Sequence, residues 1–480
     1  MTSPGEDGND DAPDGAPDKG SGNPFSWRYV TPLLMGSALN PVNSSVIATA
    51  LVPIAVSLHV SVGRTSVLVA ALYLACAVAQ PTAGKLSEEF GPRRVFLAGI
   101  SIVFLGGVLG GLGQNLTTLV VARVLIGIGT SAGYPSAMLM IRRRAMGAGL
   151  DAPPGGVLGG LAIAGNVTAT VGPPLGGLLV GVFSWRAAFL INLPLAVITL
   201  VLALSWIPRD AAVTVPRRAR EVAARIDVIG IVGFGGAMTA LLVFLLGLPH
   251  PDWLALGIAV VAGAALVRWE LRVATPFFDV RRLTSNPALT RTYLRTALTL
   301  LGVYTVLYGV TQWIQAARGV SAETAGLLIV PMGAVAAFVT WPISRRNLIR
   351  GPLIAAALSM LVASVGILFL TTHSPVVLIL GVTAVFGITI GTTTPGNQTA
   401  LYTQAPADQL GTASGLFRTF SYIGSIASST LTGIVFRDRV TDHGLHLIAL
   451  ILIGVGAVVL VMTVADRRLT TPARTATASR

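Results

Sequence analysis

Residues 165–177 read GNVTATVGPPLGG and sit within an apolar run covering residues 156–206. In a helix interior glycine costs about 1 kcal/mol and proline about 3 kcal/mol relative to alanine. Two adjacent prolines and four glycines therefore oppose helix formation, although the run has the length and apolarity of membrane helices. Gly165, Ala169, Gly172 and Gly176 recur at spacings of four, three and four, which places them on one helix face. Small residues on one face let two helix backbones approach closely. Pro173 and Pro174 remove backbone donors and bend the helix. The pattern predicts a bent contact surface able to rock against a partner. Ordinary small-residue packing is the other reading.

The rest of the chain supplies the setting. Of 480 residues, 53% are hydrophobic and 11% charged, and the mean hydropathy is +0.75. A soluble domain carries about 25% charged residues, so lipid must solvate most of this chain. Residues 1–27 differ: they are rich in Gly, Pro and Asp and have no apolar run. Such a segment cannot offset its chain entropy by burial and is expected to be a disordered acidic tail. It lacks the basic start and apolar core of a signal peptide, so the first span must direct its own insertion. The net charge of +13 would suggest nucleic acid in a soluble protein. Here the arginines fall between apolar runs, where anionic headgroups and the positive-inside rule place them. A lipid bilayer, not nucleic acid, is the expected partner. Cys76 is the only cysteine, which excludes an intrachain disulfide. Lysine occurs only at positions 19 and 85, while Arg, Ala and Gly abound, the bias of a GC-rich bacterial genome.

A membrane helix needs about 20 mostly apolar residues. Such runs fall at 30–56, 65–83, 95–114, 117–138, 156–182, 187–206, 228–248, 254–271, 292–315, 323–343, 352–371, 375–397, 411–435 and 446–465. The predicted fold class is an all-α polytopic membrane protein with fourteen transmembrane helices. Continuous runs exclude the alternation of a β-barrel. With a cytoplasmic N-terminus, the inside loops hold Lys85, Arg93 and Arg94, then Arg142, Arg143 and Arg144, five arginines in 207–227, and Arg272, Arg281, Arg282, Arg345, Arg346 and Arg350. The outside loops hold Arg64, Arg186, Arg318, Arg437 and Arg439. This asymmetry places both termini in the cytoplasm and predicts the inner membrane of a bacterium. The basic loop 207–227 follows six spans; two spans and a second basic loop precede the last six. The expected divisions are a tail at 1–27, a six-helix bundle at 28–206, a basic linker with two extra helices at 207–286, a second six-helix bundle at 287–466 and a tail at 467–480. A six-helix bundle repeated about the membrane normal is a transporter plan with its substrate site between the halves.

Several motifs sharpen this plan. Gly172-Pro173-Pro174-Leu175-Gly176-Gly177 resembles the fifth-span motif of major facilitator superfamily exporters, with Thr168 where the longer pattern has glycine. Residues 84–94, GKLSEEFGPRR, resemble the loop between the second and third spans of that superfamily through Gly84, Leu86, Gly91 and Arg93. Glu88 replaces its aspartate, and Glu89 and Pro92 replace basic positions. Arg123-x-x-x-Gly127-x-Gly129 resembles the fourth-span motif. Trp185-Arg186-x-x-Phe189-x-x-Asn192-x-Pro194, the segment 270–333 and RTFSYIG at 418–424 resemble the fourteen-span drug:proton antiporter branch. The resemblance covers about residues 28–465. It implies two six-helix bundles plus two central helices, conformational roles for Gly84, Glu88, Gly91, Arg93, Gly172, Pro173, Gly176 and Gly177, and coupling to an ion gradient, most readily protons.

One departure bears on coupling. That branch carries an aspartate in its first span, and here LNPVNSSVIATALVPIA has Asn43 instead. Glu270 and Glu323 lie near span ends, Glu270 beside Arg268 and Arg272 as pairing partners, and Asp408 borders span thirteen. An intramembrane acid is the default proton carrier, so its absence from span one weakens the case for proton antiport and for cationic drugs. Arginine at a helix centre costs about 2.5–3.5 kcal/mol on insertion scales. Arg123 and Arg418 each lie about two turns inside a span. They bind an anionic group, or organise coupling through polar neighbours such as Asn40, Asn43 and Gln80, or else cap backbone carbonyls of a bent neighbouring helix. Arg291 and Arg295 are expected to snorkel to the surface. Tyr134, Asn166, Gln312, Gln315, Asn397 and Tyr422 could line a cavity or be satisfied between helices. Tyr304, Tyr308 and Trp313 read as packing or interface anchors.

No phosphate loop, dinucleotide fingerprint, metal set or catalytic constellation is legible. Gly84-Lys85 lacks the upstream glycine and following hydroxyl, and His443-x-x-His446 lacks a third ligand. The chain is expected not to be an enzyme, to need no cofactor beyond an ion gradient and to work as a monomer. The expected function is export of hydrophobic or amphipathic small molecules, including drugs and antibiotics, by alternating access. The alternative is a dedicated exporter of an endogenous metabolite or lipid, acidic in character. A membrane sensor or enzyme is disfavoured because no cytoplasmic domain and no clustered catalytic groups are present.

Overall fold

A computed structural model describes residues 24–150, 154–210, 226–248, 250–273, 276–277, 280–346, 348–405, 410–466 and 469. The acidic tail as far as residue 23, residues 211–225 of the basic loop, Asp408, the tail from residue 470 and the side chain of Asn166 lie outside the described residues. Among the described residues every regular element is a helix. Lipid offers the backbone no hydrogen bonds, so each span satisfies its own.

The first bundle contains α1 (Trp27–Ser57), α2 (Val62–Phe90), α3 (Pro92–Leu112), α4 (Leu116–Gly147), α5 (Gly155–Val182) and α6 (Ala187–Trp206). The central pair is α7 (Val228–Gly247) and α8 (Trp253–Glu270). The second bundle contains α9 (Pro287–Ala316), α10 (Ala322–Arg346), α11 (Arg350–Leu368), α12 (Val376–Gln404), α13 (Leu410–Val435) and α14 (Asp442–Ala465). Thirteen of these are long and apolar enough to cross a membrane. The other, α13, has 26 residues and is interspersed with serine and threonine.

Starts are set by local caps. Asn115 accepts from Thr118 N (2.9 Å), Asp252 from Ala255 N (3.1 Å), Asn286 from Leu289 N (3.2 Å) and Thr441 from Gly444 N (3.1 Å). Each satisfies a donor that the first helical turn leaves orphaned. Short connections make successive spans antiparallel. Trp27 and Ala465 therefore share one face of the molecule, here the terminal face; the α1–α2 and α13–α14 connections lie on the distal face.

Helices run past several boundaries expected from sequence. Residues 84–90 are the last turns of α2 rather than a loop, and the reversal falls at Gly91, where φ is +98°. A carboxylate explains the second demand on that glycine: a Cβ would lie 2.4 Å from Asp210 Oδ2. Asp210 accepts from Arg93 N (3.2 Å) and Arg94 N (2.9 Å), capping α3. Arg142, Arg143 and Arg144 are helical, because α4 restarts at Gly133 after a break at Ala132 and runs to Gly147. A π turn, Val306–Val310, interrupts α9.

Within the first bundle α1 packs on α5, and α4 packs on α2 and α3. The glycines of the fourth-span motif permit this. A Cβ on Gly127 would lie 2.8 Å from Leu72 O, and one on Gly129 would lie 2.5 Å from Gly99 O. Two seams join the bundles, α5 against α10 and α2 against α13, with the α7–α8 hairpin beside the second.

Candidate functional site: the seam between the bundles

The glycine–proline stretch serves two interfaces at once. A Cβ on Gly172 would overlap Ser45 Oγ, and one on Gly176 would lie 2.5 Å from Val46 O, so these two glycines admit α1 of the same bundle. Gly177, one position round the helix, admits the other bundle: its Cβ would be 2.5 Å from Ala322 O. Helix α10 answers in kind. Gly326 approaches Pro173 O and Gly333 approaches Thr170, with hypothetical Cβ distances of 2.5 and 2.4 Å. Gly165, Gly172 and Gly176 of the expected face all look towards α1; the face does not include Ala169 and is not the one that meets the other bundle. Ala169 is exposed, Gly165 meets only the Pro41 ring at 3.9 Å, and the cross-bundle contact runs through Gly177. The helix continues through Pro173 and Pro174 without a break.

The distal ends of α2 and α13 are equally close. Gly63 N donates to Phe436 O (3.1 Å), and the Ser66 and Thr432 hydroxyls lie 3.4 Å apart. At mid-depth a cluster of four tyrosines crosses the seam. The Tyr73 and Tyr308 hydroxyls are 2.9 Å apart, and Tyr308 donates onward to Ser44 O (2.8 Å). Ring centroids are 5.2 Å apart for Tyr73–Tyr304, 5.8 Å for Tyr304–Tyr308 and 6.0 Å for Tyr73–Tyr422. Tyr422 donates to Gln80 Oε1, and the Arg418 guanidinium stands 4.2 Å from the centre of the Tyr134 ring. Towards the terminal face no comparable close approach occurs at the glycines of α5 and α13: a Cβ at Gly156, Gly159 or Gly415 would meet nothing within 4 Å.

The sequence candidates divide accordingly. Gln80, Tyr134, Arg418 and Tyr422 are brought together at the seam. Tyr304 and Tyr308, read as packing, join them, as does Tyr73. Tyr73 was missed. Its signal was the spacing of Tyr73, Cys76 and Gln80, which share one face of α2.

Arg123, Asn43 and Asn40 instead face into the first bundle. Arg123 is buried and donates to Leu68 O and Asn43 O, both at 3.1 Å, holding two backbones. Asn43 donates to Asn192 Oδ1 (2.7 Å), and Asn192 donates back to Asn43 Oδ1 (3.0 Å). Asn40 donates to Cys76 Sγ and Thr130 Oγ1, each at 3.1 Å.

In the second bundle Asn397 accepts from Arg295 Nε (2.8 Å). Arg295 does not snorkel: it is fully buried, and Asp466 Oδ2 lies 3.9 Å from its Nη1. Arg291 reaches the same carboxylate at 3.0 Å. The buried Gln312 amide has no hydrogen-bond partner among the described residues, and neither has Gln315 Nε2. Leaving such groups unpaired is costly. Both follow the π turn, a distortion often found at functional sites. Among the described residues no cluster of potential metal ligands occurs.

Two matched bundles with a close-packed seam on one face and a polar, aromatic interface at mid-depth define a transporter architecture. The profile of the Major Facilitator Superfamily matches residues 33–429, and the chain belongs to that superfamily as a multi-pass membrane transporter, not an enzyme. It is 32% identical over 91% of its length to the uncharacterized MFS-type transporter YwoD of Bacillus subtilis (strain 168), covering 96% of that protein. It is 28% identical over 87% of its length to the tetracenomycin C resistance and export protein of Streptomyces glaucescens, covering 77%. The crystal structure of the nucleoside transporter NupG superposes with a TM-score of 0.61 at 13% identity, over 91% of this chain and 98% of that one, a likeness of fold.

Proposed function

We propose that the chain is a secondary active exporter of hydrophobic or amphipathic small molecules, driven by an ion gradient, most readily of protons. The carrying observation is the seam: tight at the distal face through Gly177, Gly326, Gly63 and Phe436, with open space at Gly156, Gly159 and Gly415 towards the terminal face. With the terminal face in the cytoplasm of a bacterial cell, as the arginine distribution favours, this is the inward-facing state of an alternating-access cycle. Substrate enters from the cytoplasm or inner leaflet and meets the tyrosine cluster, whose faces stack on flat apolar groups. Similarity to a resistance and export protein supports the direction.

Coupling does not run through a carboxylate in the first span, because Asn43 occupies that place and is paired with Asn192. Uptake of ethidium into inverted vesicles, with and without an imposed proton gradient, tests transport, direction and coupling together. Gradient-dependent uptake above that of vesicles lacking the chain is expected. Equal uptake overturns the drug-export reading.

A second reading has its own observation. Arg418 lies on the seam against an aromatic ring, a setting suited to an acidic, planar product. A dedicated exporter of such a metabolite would leave ethidium unmoved and enrich an acidic compound in spent medium of cells carrying the gene.

A further inference from the structure

Helix α7 runs along the α2–α13 seam and is fastened to a different bundle at each end. At the terminal end, Lys85 Nζ of α2 donates to Ile226 O (3.5 Å) and Pro276 O (3.4 Å). Both bonds are long, and each carbonyl's neighbour in sequence, Asp227 or Phe277, belongs to one hydrogen-bonded knot. Asp227 is buried at φ +58° and accepts from Gly230 N (3.0 Å), Trp269 Nε1 (2.8 Å) and Phe277 N (2.9 Å). Glu270, the last residue of α8, is fully buried. The two carboxylates converge on Gly230, where a Cβ would lie 2.2 Å from Asp227 Oδ2 and 2.7 Å from Glu270 Oε1. Asp227, Glu270 and Glu88 all act electrostatically on Lys85.

At the distal end α7 meets the other bundle. Arg437 Nη1 donates to Leu246 O (3.4 Å), and Leu246 Cδ2 lies 3.1 Å from the place of a Cβ on Gly433. Between the two ends, Gly235 of α7 runs beside Val78 of α2.

We propose that the α7–α8 hairpin is a clasp: Lys85, bonded to the Ile226 and Pro276 carbonyls that flank the hairpin, ties it to the first bundle, Leu246 against Gly433 and Arg437 ties it to the second, and the hairpin thereby opposes parting of the distal ends of α2 and α13. The proposal rests on the alternating-access reading. When the distal ends separate about a mid-depth pivot, α7 cannot keep both attachments. Releasing Lys85 lets the hairpin travel with α13, and the clasp no longer resists. This assigns the two central helices a conformational role and gives the lysine of the 84–94 motif its partner.

The test uses the purified full chain in detergent, with Cys76→Ser and a Ser66→Cys reporter, and measures the rate of labelling by a small hydrophilic maleimide. Ser66 is buried in the sealed seam. Lys85→Met, Asp227→Asn and Arg437→Gln are each expected to raise the labelling rate threefold or more. Lys85→Met combined with Arg437→Gln should label no faster than the faster single variant, since both cut one clasp. Unchanged rates in Lys85→Met and Asp227→Asn, or multiplied rates in the double variant, overturn the proposal. Asp227→Asn keeps the helix cap and decides the matter if Lys85→Met does not give monodisperse protein. Transport is not measured, so a failure of the exporter reading leaves this readout intact.

Discussion

Asn43 and Asn192 exchange a pair of amide hydrogen bonds, 2.7 and 3.0 Å, across the interface of α1 and α6. Each amide has a second tie: Asn43 donates to Leu39 O and Asn192 to Phe189 O, both at 2.9 Å. Arg123 binds the Asn43 carbonyl from the other side. The position that holds an acid in resembling antiporters is here a structural joint.

Asn192→Ala should therefore destabilise the first bundle. Hydrogen bonds within membranes contribute about 0.6–2 kcal/mol, and the Asn43 amide would lose its side-chain partner. A loss of about 1–2 kcal/mol is expected, read as a lower aggregation midpoint in detergent. The double variant with Asn43→Ala should cost less than the sum of the singles. Additive losses would show that the two amides are not coupled.

Gly177→Val and Gly326→Val act on the seam rather than on folding of a bundle. Each puts side-chain atoms where a backbone carbonyl now lies within 2.5 Å of a Cβ position. Expression and monodispersity should persist, while efflux falls tenfold or more and the distal face becomes accessible to maleimide. Gly172→Val should instead disrupt the first bundle, because its contact is with Ser45.

Tyr308→Phe removes the hydroxyl that reaches Tyr73 and Ser44 O. A net hydrogen bond is worth about 0.5–1.5 kcal/mol, so the equilibrium between seam states should shift by about threefold to tenfold towards distal opening. Ser66→Cys labelling in a Cys76→Ser background measures this. An unchanged rate would remove the tyrosine cluster from the closing energy.

Much of this was legible in sequence because lipid imposes a simple rule: about twenty apolar residues per crossing. The fourteen spans follow from that, and the arginine spacing from the loops between them. The seam was half legible. Small residues at 172, 176 and 177 announce close approach, but only the fold assigns Gly177 to α10 and Gly172 to α1. Arg295 looked like a surface residue from its place near a helix start. It is buried because Asp466, 171 positions later in sequence, returns to the same end of the bundle. Asn43 and Asn192 could not be paired from a single chain, since nothing local links α1 to α6.

Arg418→Lys and Arg418→Ala separate the two functional readings. A guanidinium stacks on an aromatic face and offers a planar fork of donors that lysine lacks. If the chain is an exporter of an acidic product bound there, both variants should abolish export of that product, lysine being a poor substitute. If it is a drug exporter, ethidium uptake should survive both variants, and its loss would place Arg418 in the conformational machinery.

The central claim is that the distal seam must open for export. Cysteines replacing Ser66 and Thr432, whose hydroxyls lie 3.4 Å apart, can be oxidised to a disulfide in a Cys76→Ser background. Ethidium efflux from cells is expected to stop on oxidation and to return with a reductant. Full efflux with the disulfide intact would contradict the account.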